Sequence, residues 1–276
     1  GIDPDSIIKL NGNENPYGGS SKASEAVGNT PLHIYPDPQQ RKLRAGLAEY
    51  TGMDQDHIIA GAGSDELIDL LFRLFIAPGD RILDFDPTFA MYGFCARVAA
   101  GEIELVPRDE LFEIDMDAVR DALDPRTKII FVSSPNNPTG NLASEAQVTA
   151  LLETGRIVVV DEAYFEFCNE TAAGLVPDHE NLVVLRTMSK WAGLAGLRIG
   201  YGIMSPRLVG HIIDIKSPYN VNVAAEAALL ASLDDAPALL GNVDLIVQER
   251  ERMFGLLNEL PGVTPWPSFG NFVLCQ

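Results

Sequence analysis

Lys190 follows the apolar run at residues 182–185 and precedes an apolar, glycine-rich turn at 191–198, where an ammonium group is poorly solvated. A desolvated amine has a depressed pKa and becomes a nucleophile toward carbonyls. Asp161 ends another apolar run, residues 157–160, where a carboxylate needs a cationic partner. A ligand cation fits that need; a nearby arginine or a helix end fits it equally well. Thr187, Ser189 and Arg198 add two hydroxyls and a guanidinium suited to an anion. Residues 61–66, Gly-Ala-Gly-Ser-Asp-Glu, form a glycine turn entering a helix, whose N-terminal amides can hold an anion such as a single phosphate. Taken alone they read first as an ordinary helix start, capped by Ser64 with Asp65 and Glu66 complementing the helix dipole. The third glycine of a dinucleotide site and the G-K-[ST] of a P-loop are both absent there.

Phe89 and Tyr92 follow the run at 82–85 and are placed at the rim of the same cleft, either as local core or as a stacking face for a flat ligand. Residues 133–140 hold two prolines and a glycine, a rigid loop in which Asn136 serves the turn while Asn137 turns its amide toward a ligand. Together these groups ask for a planar, carbonyl-bearing molecule with a phosphate and a ring-nitrogen cation. Pyridoxal 5′-phosphate has all four features. Cys95, Cys168 and Cys275 are far apart and form no CxxC pair, so neither a disulfide framework nor a metal site is expected.

Such residues converge only if the right elements carry them. Seven short β-branched or apolar runs, at 58–60, 82–85, 103–106, 129–132, 157–160, 182–185 and 199–202, predict strands. Helical spacing at 39–51, 66–76, 115–123 and 144–153 alternates with them, which predicts an α/β fold with a mostly parallel seven-stranded sheet covered by helices. In such a sheet, ligands bind at the carboxyl ends of the strands. The runs around Val132 and Val159 lack polar alternation and should lie centrally. Residues 1–32 read as an extended arm with turns, 33–215 as the large ligand-binding domain, and 216–276 as linking helices and the start of a smaller, incomplete α/β domain. Helices are expected at 206–215, 224–233 and 238–260, and a strand at 271–274.

With 20 Lys and Arg against 39 Asp and Glu, the net charge of −19 disfavours nucleic acid and anionic membrane surfaces as partners. No window resembles a membrane span or a secretion signal, and the cysteine usage suits a reducing cytoplasm.

Asn137-Pro138-Thr139-Gly140, Asp161-Glu162-Ala163-Tyr164, and Ser189-Lys190 with Arg198 eight residues on resemble the fold type I aminotransferases that use pyridoxal phosphate. Residues 10–18, 35–37, 63–66 and 193–198 resemble, within that superfamily, the histidinol-phosphate aminotransferases, and the resemblance covers nearly the whole chain. It implies transamination between histidinol phosphate and 2-oxoglutarate, a step of histidine biosynthesis. Aromatic amino-acid transamination and phospho-amino-acid decarboxylation are the alternatives within the superfamily. By the same resemblance Lys190 would bind the cofactor and shuttle the proton, Asp161 would pair with the pyridine nitrogen, and Tyr164 and Asn137 would hold the phenolic oxygen. Phe89, where many relatives carry Tyr, would stack on the ring. Ser64, Asp65, Thr187, Ser189 and Arg198 would hold the phosphate, and Tyr35 would reach it from the neighbouring subunit of a homodimer. Members begin earlier and continue further, and their carboxylate-binding arginine lies in the later part. Both ends therefore look trimmed, as in a fragment of a longer enzyme.

Overall fold

The seven apolar runs are continuous because both faces of the sheet are covered. In the computed structural model, which describes residue 3 and residues 7–276, successive side chains of the inner strands enter two different cores. Val158 and Val160 join one core and Val159 the other; Ile130 and Val132 join the first, Ile129 and Phe131 the second. The strands are β1 (Ile58–Gly61), β2 (Arg81–Asp86), β3 (Glu102–Pro107), β4 (Thr127–Ser133), β5 (Ile157–Asp161), β6 (Leu182–Thr187) and β7 (Gly200–Met204). They form one sheet in the order β1-β7-β6-β5-β4-β2-β3. Only β7 runs antiparallel to its neighbours, and β5 lies at the centre. The expected mostly parallel sheet is what the chain forms.

Helices α1 (Ser21–Gly28), α2 (Arg41–Thr51), α5 (Met116–Ala122), α6 (Glu145–Leu152), α8 (Val223–Leu233) and α9 (Ala236–Asn258) cover one face. The other is covered by α3 (Ser64–Phe75), α4 (Met91–Val98) and α7 (Pro206–Ile215). Local signals explain several ends. Gly52 closes α2 at φ +71°, its amide donating to the Ala48 carbonyl. Ser144 and Gln147 form a reciprocal capping box at the start of α6. Among the described residues no helix is long and apolar enough to cross a membrane.

Three expectations need correction. The arm is not wholly extended, because residues 21–28 form α1, whose buried Ala23 shares a core with Ala225 and Leu229 of α8. Eight residues make a marginal helix alone, so docking and the Ser20 cap, which accepts from the Lys22 amide, make this one. Tyr92 is not at a cleft rim. It lies on α4, fully buried, with its ring stacked on Phe131 at 4.5 Å. Residues 271–274 form no strand; pairing there is limited to a Pro265–Cys275 bridge, flanked by a Trp266 amide bond to the Leu274 carbonyl. Beyond Trp266 the backbone turns to other partners: the Phe269 amide donates to the Gly140 carbonyl at 2.7 Å, and the Gly270 carbonyl accepts from Arg250 at 2.9 Å.

Candidate active site

The carboxyl ends of β1, β2, β4, β5 and β6 open into one cavity of about 440 Å³. Every residue that the resemblance placed at the site lines it except Tyr35. Ser64 and Asp65 come from the start of α3, Phe89 from the turn after β2, and Asn137 from the loop after β4. Asp161 and Tyr164 follow from β5, and Thr187, Ser189 and Lys190 from β6. Arg198 closes the turn before β7. Tyr35 lies elsewhere, 76% exposed and stacked on Tyr219 at 4.4 Å.

Asp161 is 4% exposed, and no lysine or arginine pairs with it among the described residues. The nearby arginine that could have neutralised it, Arg186, bonds Glu162 instead at 2.9 Å. Asp161 Oδ2 accepts from the Tyr92 hydroxyl at 2.8 Å, and Oδ1 from the Ala163 amide at 3.2 Å. Burial pushes its pKa up to about 6, against the pull of those two donors. A buried carboxylate in this state is stabilised by any cation that enters the cavity.

The Lys190 amine is half-buried, and desolvation lowers its pKa while the Glu14 carboxylate opposes the shift. Its Nζ donates to the Gly12 carbonyl at 2.7 Å. Burial pushes the Tyr164 phenol up to about 12, so it keeps its proton, and its oxygen accepts from Asn13 Nδ2 at 3.0 Å.

At the anion end, the expected Ser64 cap is corrected. Gly63, at φ +78°, is the N-cap and supplies no side chain, so Ser64 and Asp65 bring an uncapped helix start to the cavity. Gly200 permits this approach, since a Cβ there would lie 2.6 Å from the Ser64 amide nitrogen. The Thr187 and Ser189 hydroxyls are 2.9 Å apart, and the Ser189 amide donates to Thr187 Oγ1 at 3.1 Å. Arg198 bonds the Asp65 carboxylate at 2.8 Å, which neutralises an acid that would otherwise repel an anion. Asn136 serves the turn as expected, its amide donating to the Pro87 carbonyl at 3.0 Å.

Pyridoxal 5′-phosphate, the group implied by the sequence, fits these residues. Asp161, which has no lysine or arginine partner among the described residues, would hold its ring cation, the desolvated Lys190 amine would meet its carbonyl, and an uncapped helix start with two hydroxyls and a guanidinium would hold its phosphate. The sequence reading missed Tyr92 beneath Asp161, and it had Asn11, Gly12, Asn13 and Glu14 only as a family-like stretch of the arm, not as lining. Their signal was a dense polar run in a segment without periodicity.

Residues 5–276 match the family described as aminotransferase class I and II. The chain is 45% identical to a histidinol-phosphate aminotransferase of Dehalococcoides mccartyi, over 98% of this chain and 76% of that one. It is 48% identical to the enzyme of the same name from Roseiflexus castenholzii, over 100% of this chain and 76% of that one. The crystal structure of histidinol-phosphate aminotransferase from Sinorhizobium meliloti in complex with pyridoxal-5′-phosphate superposes with a TM-score of 0.89 at 25% identity, covering 96% of this chain and 74% of that one. On the extent of these matches, the chain belongs to the class I and II aminotransferase family.

Proposed function

We propose that the chain uses pyridoxal 5′-phosphate to transfer the amino group of histidinol phosphate to 2-oxoglutarate, yielding imidazole acetol phosphate and glutamate. The observation that carries the cofactor chemistry is Asp161, a buried carboxylate with no lysine or arginine partner among the described residues, in one cavity with a desolvated lysine. The substrate follows from the names of relatives near half identity. When bound, the cofactor supplies a carbonyl for the amine and a protonated ring that takes up the electron pair left by the departing α-proton. Asp161 holds the proton on the ring nitrogen. Lys190 Nζ would take up the proton released by the substrate carbon and shuttle it during the transfer. Tyr164 and Asn137 orient the phenolic oxygen, and Phe89 covers the ring. Ser64, Asp65, Thr187, Ser189 and Arg198 hold the phosphate. In this reading residues 1–32 act as an arm, 33–215 as the cofactor-binding domain and 216–276 as the linking helices of a second unit.

A single-turnover assay without oxo acid tests the reaction. Cofactor-loaded protein mixed with histidinol phosphate should release imidazole acetol phosphate stoichiometrically, at least about tenfold faster than it converts phenylalanine. Faster conversion of phenylalanine would make the chain an aromatic aminotransferase, and carbon dioxide from a phosphorylated amino acid would make it a decarboxylase.

Tyr92→Phe keeps the ring packing on Phe131 and removes one of the two donors to Asp161. A hydrogen bond to a charged group is worth about 1.5–3 kcal/mol, so cofactor affinity should fall about ten- to a hundredfold in an absorbance titration. Unchanged affinity would show that Tyr92 does not support the carboxylate.

The working unit in this proposal is a cytoplasmic homodimer with shared sites. The three cysteines are free, which suits a reducing compartment. Tyr35 sits beside the exposed Leu32 and Ile34, away from its own chain's cavity, where an apolar patch suits a partner surface. Mixing inactive Tyr35→Ala and Lys190→Ala chains should then restore activity, because one site of each mixed dimer carries neither defect. Random exchange should return about a quarter of native activity. No recovery despite demonstrated exchange would rule out a Tyr35 acting across the interface.

A further inference from the structure

We infer that the main-chain carbonyl of Gly12 is the resting acceptor of the Lys190 amine, so that residues 11–15 position the reacting nitrogen whenever it is not bonded to the cofactor. The inference rests on the cofactor chemistry proposed above. Lys190 Nζ donates to Gly12 O at 2.7 Å across 178 residues of sequence. The arm is tied down on both sides of this bond. Asn13 Nδ2 donates to the Tyr164 hydroxyl at 3.0 Å, and Asn15 Nδ2 donates to the carbonyl of Trp191, the residue after Lys190, at 2.9 Å. Asn271 Nδ2 holds the Asn13 carbonyl at 2.9 Å. Further along, Gly193 at φ +66° lets the arm press on the lysine-bearing turn, since a Cβ there would lie 2.6 Å from the Gly19 amide nitrogen. The carbonyl is therefore held in place by its neighbours while its own acceptor capacity goes to the lysine.

A half-buried amine with a depressed pKa needs such an acceptor only while it carries its hydrogens. Condensation of the Lys190 amine with an aldehyde forms a C=N bond and expels water, whose oxygen comes from the aldehyde and whose two hydrogens come from the amine. The nitrogen then keeps at most one hydrogen, supplied by a proton and fixed in the plane of the C=N bond, so the Gly12 carbonyl loses the freely turning donor that it had. When the amino group of a substrate has passed to the cofactor, the lysine is free again and its amine returns to Gly12. The arm is thus held more tightly in the cofactor-free and aminated forms than in the aldehyde form. This links its hold to the half of the cycle in which Lys190 must be parked and ready to take a proton.

Hydrogen exchange of the arm tests this with no turnover. The Tyr17 and Gly18 amides, bonded to Asn15 Oδ1 and to the Asn15 carbonyl, report on its docking. In the cofactor-free chain Lys190→Ala should speed their exchange about tenfold, with β4 and β5 unchanged. Lys190→Arg, which can donate to Gly12 but cannot condense with the cofactor, should restore protection. Native protein loaded with pyridoxal 5′-phosphate should exchange there like Lys190→Ala, and loaded with pyridoxamine 5′-phosphate like the cofactor-free chain. Equal exchange in native and Lys190→Ala cofactor-free chains, or equal protection in the two loaded forms, would overturn the inference. A chain that retains no pyridoxal 5′-phosphate after dialysis would instead defeat the proposed function, while the cofactor-free comparison would still decide the role of Gly12.

Discussion

Lys190→Ala is expected to lower turnover by a factor on the order of 10⁴ or more, because one nitrogen both anchors the cofactor and moves the α-proton. The loss should fall on kcat, since the anion-holding groups Thr187, Ser189 and Arg198 and the carboxylate of Asp161 stay in place. Thermal unfolding should move little. The side chain is only half-buried, and its removal takes away one hydrogen bond to a main-chain carbonyl together with the desolvation of the amine. A variant that kept more than about 1% of native kcat would show that the proton is carried by another group.

Asp161→Asn is expected to be the second most damaging change, with turnover reduced about 10²- to 10⁴-fold, because an amide cannot hold the ring nitrogen in its protonated form. The same substitution should have the opposite effect on the cofactor-free fold. The folded chain binds the Asp161 proton more tightly than the unfolded chain does, with a pKa near 6 instead of the ordinary 3.8. The resulting penalty on folding is absent below pH 4, grows between pH 4 and pH 6, and is complete above pH 6. At about 1.4 kcal/mol per tenfold change in proton affinity, it reaches on the order of 3 kcal/mol. Asparagine has no such charge. The stability difference between variant and native chains should therefore shift by that order in favour of the variant as the pH rises from 4 to 7, on top of a constant offset from the lost acceptor. A difference that stayed flat with pH would mean that Asp161 is not a desolvated carboxylate. Stability gained and activity lost at one residue is the trade expected of a group held in a costly state for function.

Much of this was readable along the chain because a parallel sheet writes itself plainly. Residues 129–132 and 157–160 feed two cores from alternate positions and so cannot afford polar alternation. Once the strands are known, their carboxyl ends point to the site, which is how Asp161 and Lys190 could be paired from a separation of 29 positions. What escaped depends on contacts that no local pattern records. Helix α1 exists because Ala23 finds α8, and Tyr92 is buried because α4 turns it under the sheet toward Asp161, not out to the rim. Gly12 and Asn13 reach Lys190 and Tyr164 across more than half the chain, and a polar arm without periodicity gives no sign of where it docks. At the far end, a run with strand-like composition stopped at one bridge, because the facing segment bonds Gly140 and Arg250 through Phe269 and Gly270.

The central claim is that Lys190, in one cavity with Asp161, is the residue to which the cofactor becomes attached. Borohydride treatment of protein loaded with pyridoxal 5′-phosphate, followed by proteolysis and mass spectrometry, tests it most directly. The account predicts a single pyridoxyl label on the peptide containing Met188-Ser189-Lys190, stoichiometric with the chain and absent from Lys190→Ala. A stoichiometric label on any other lysine, or none on a chain that retains the cofactor, would contradict it.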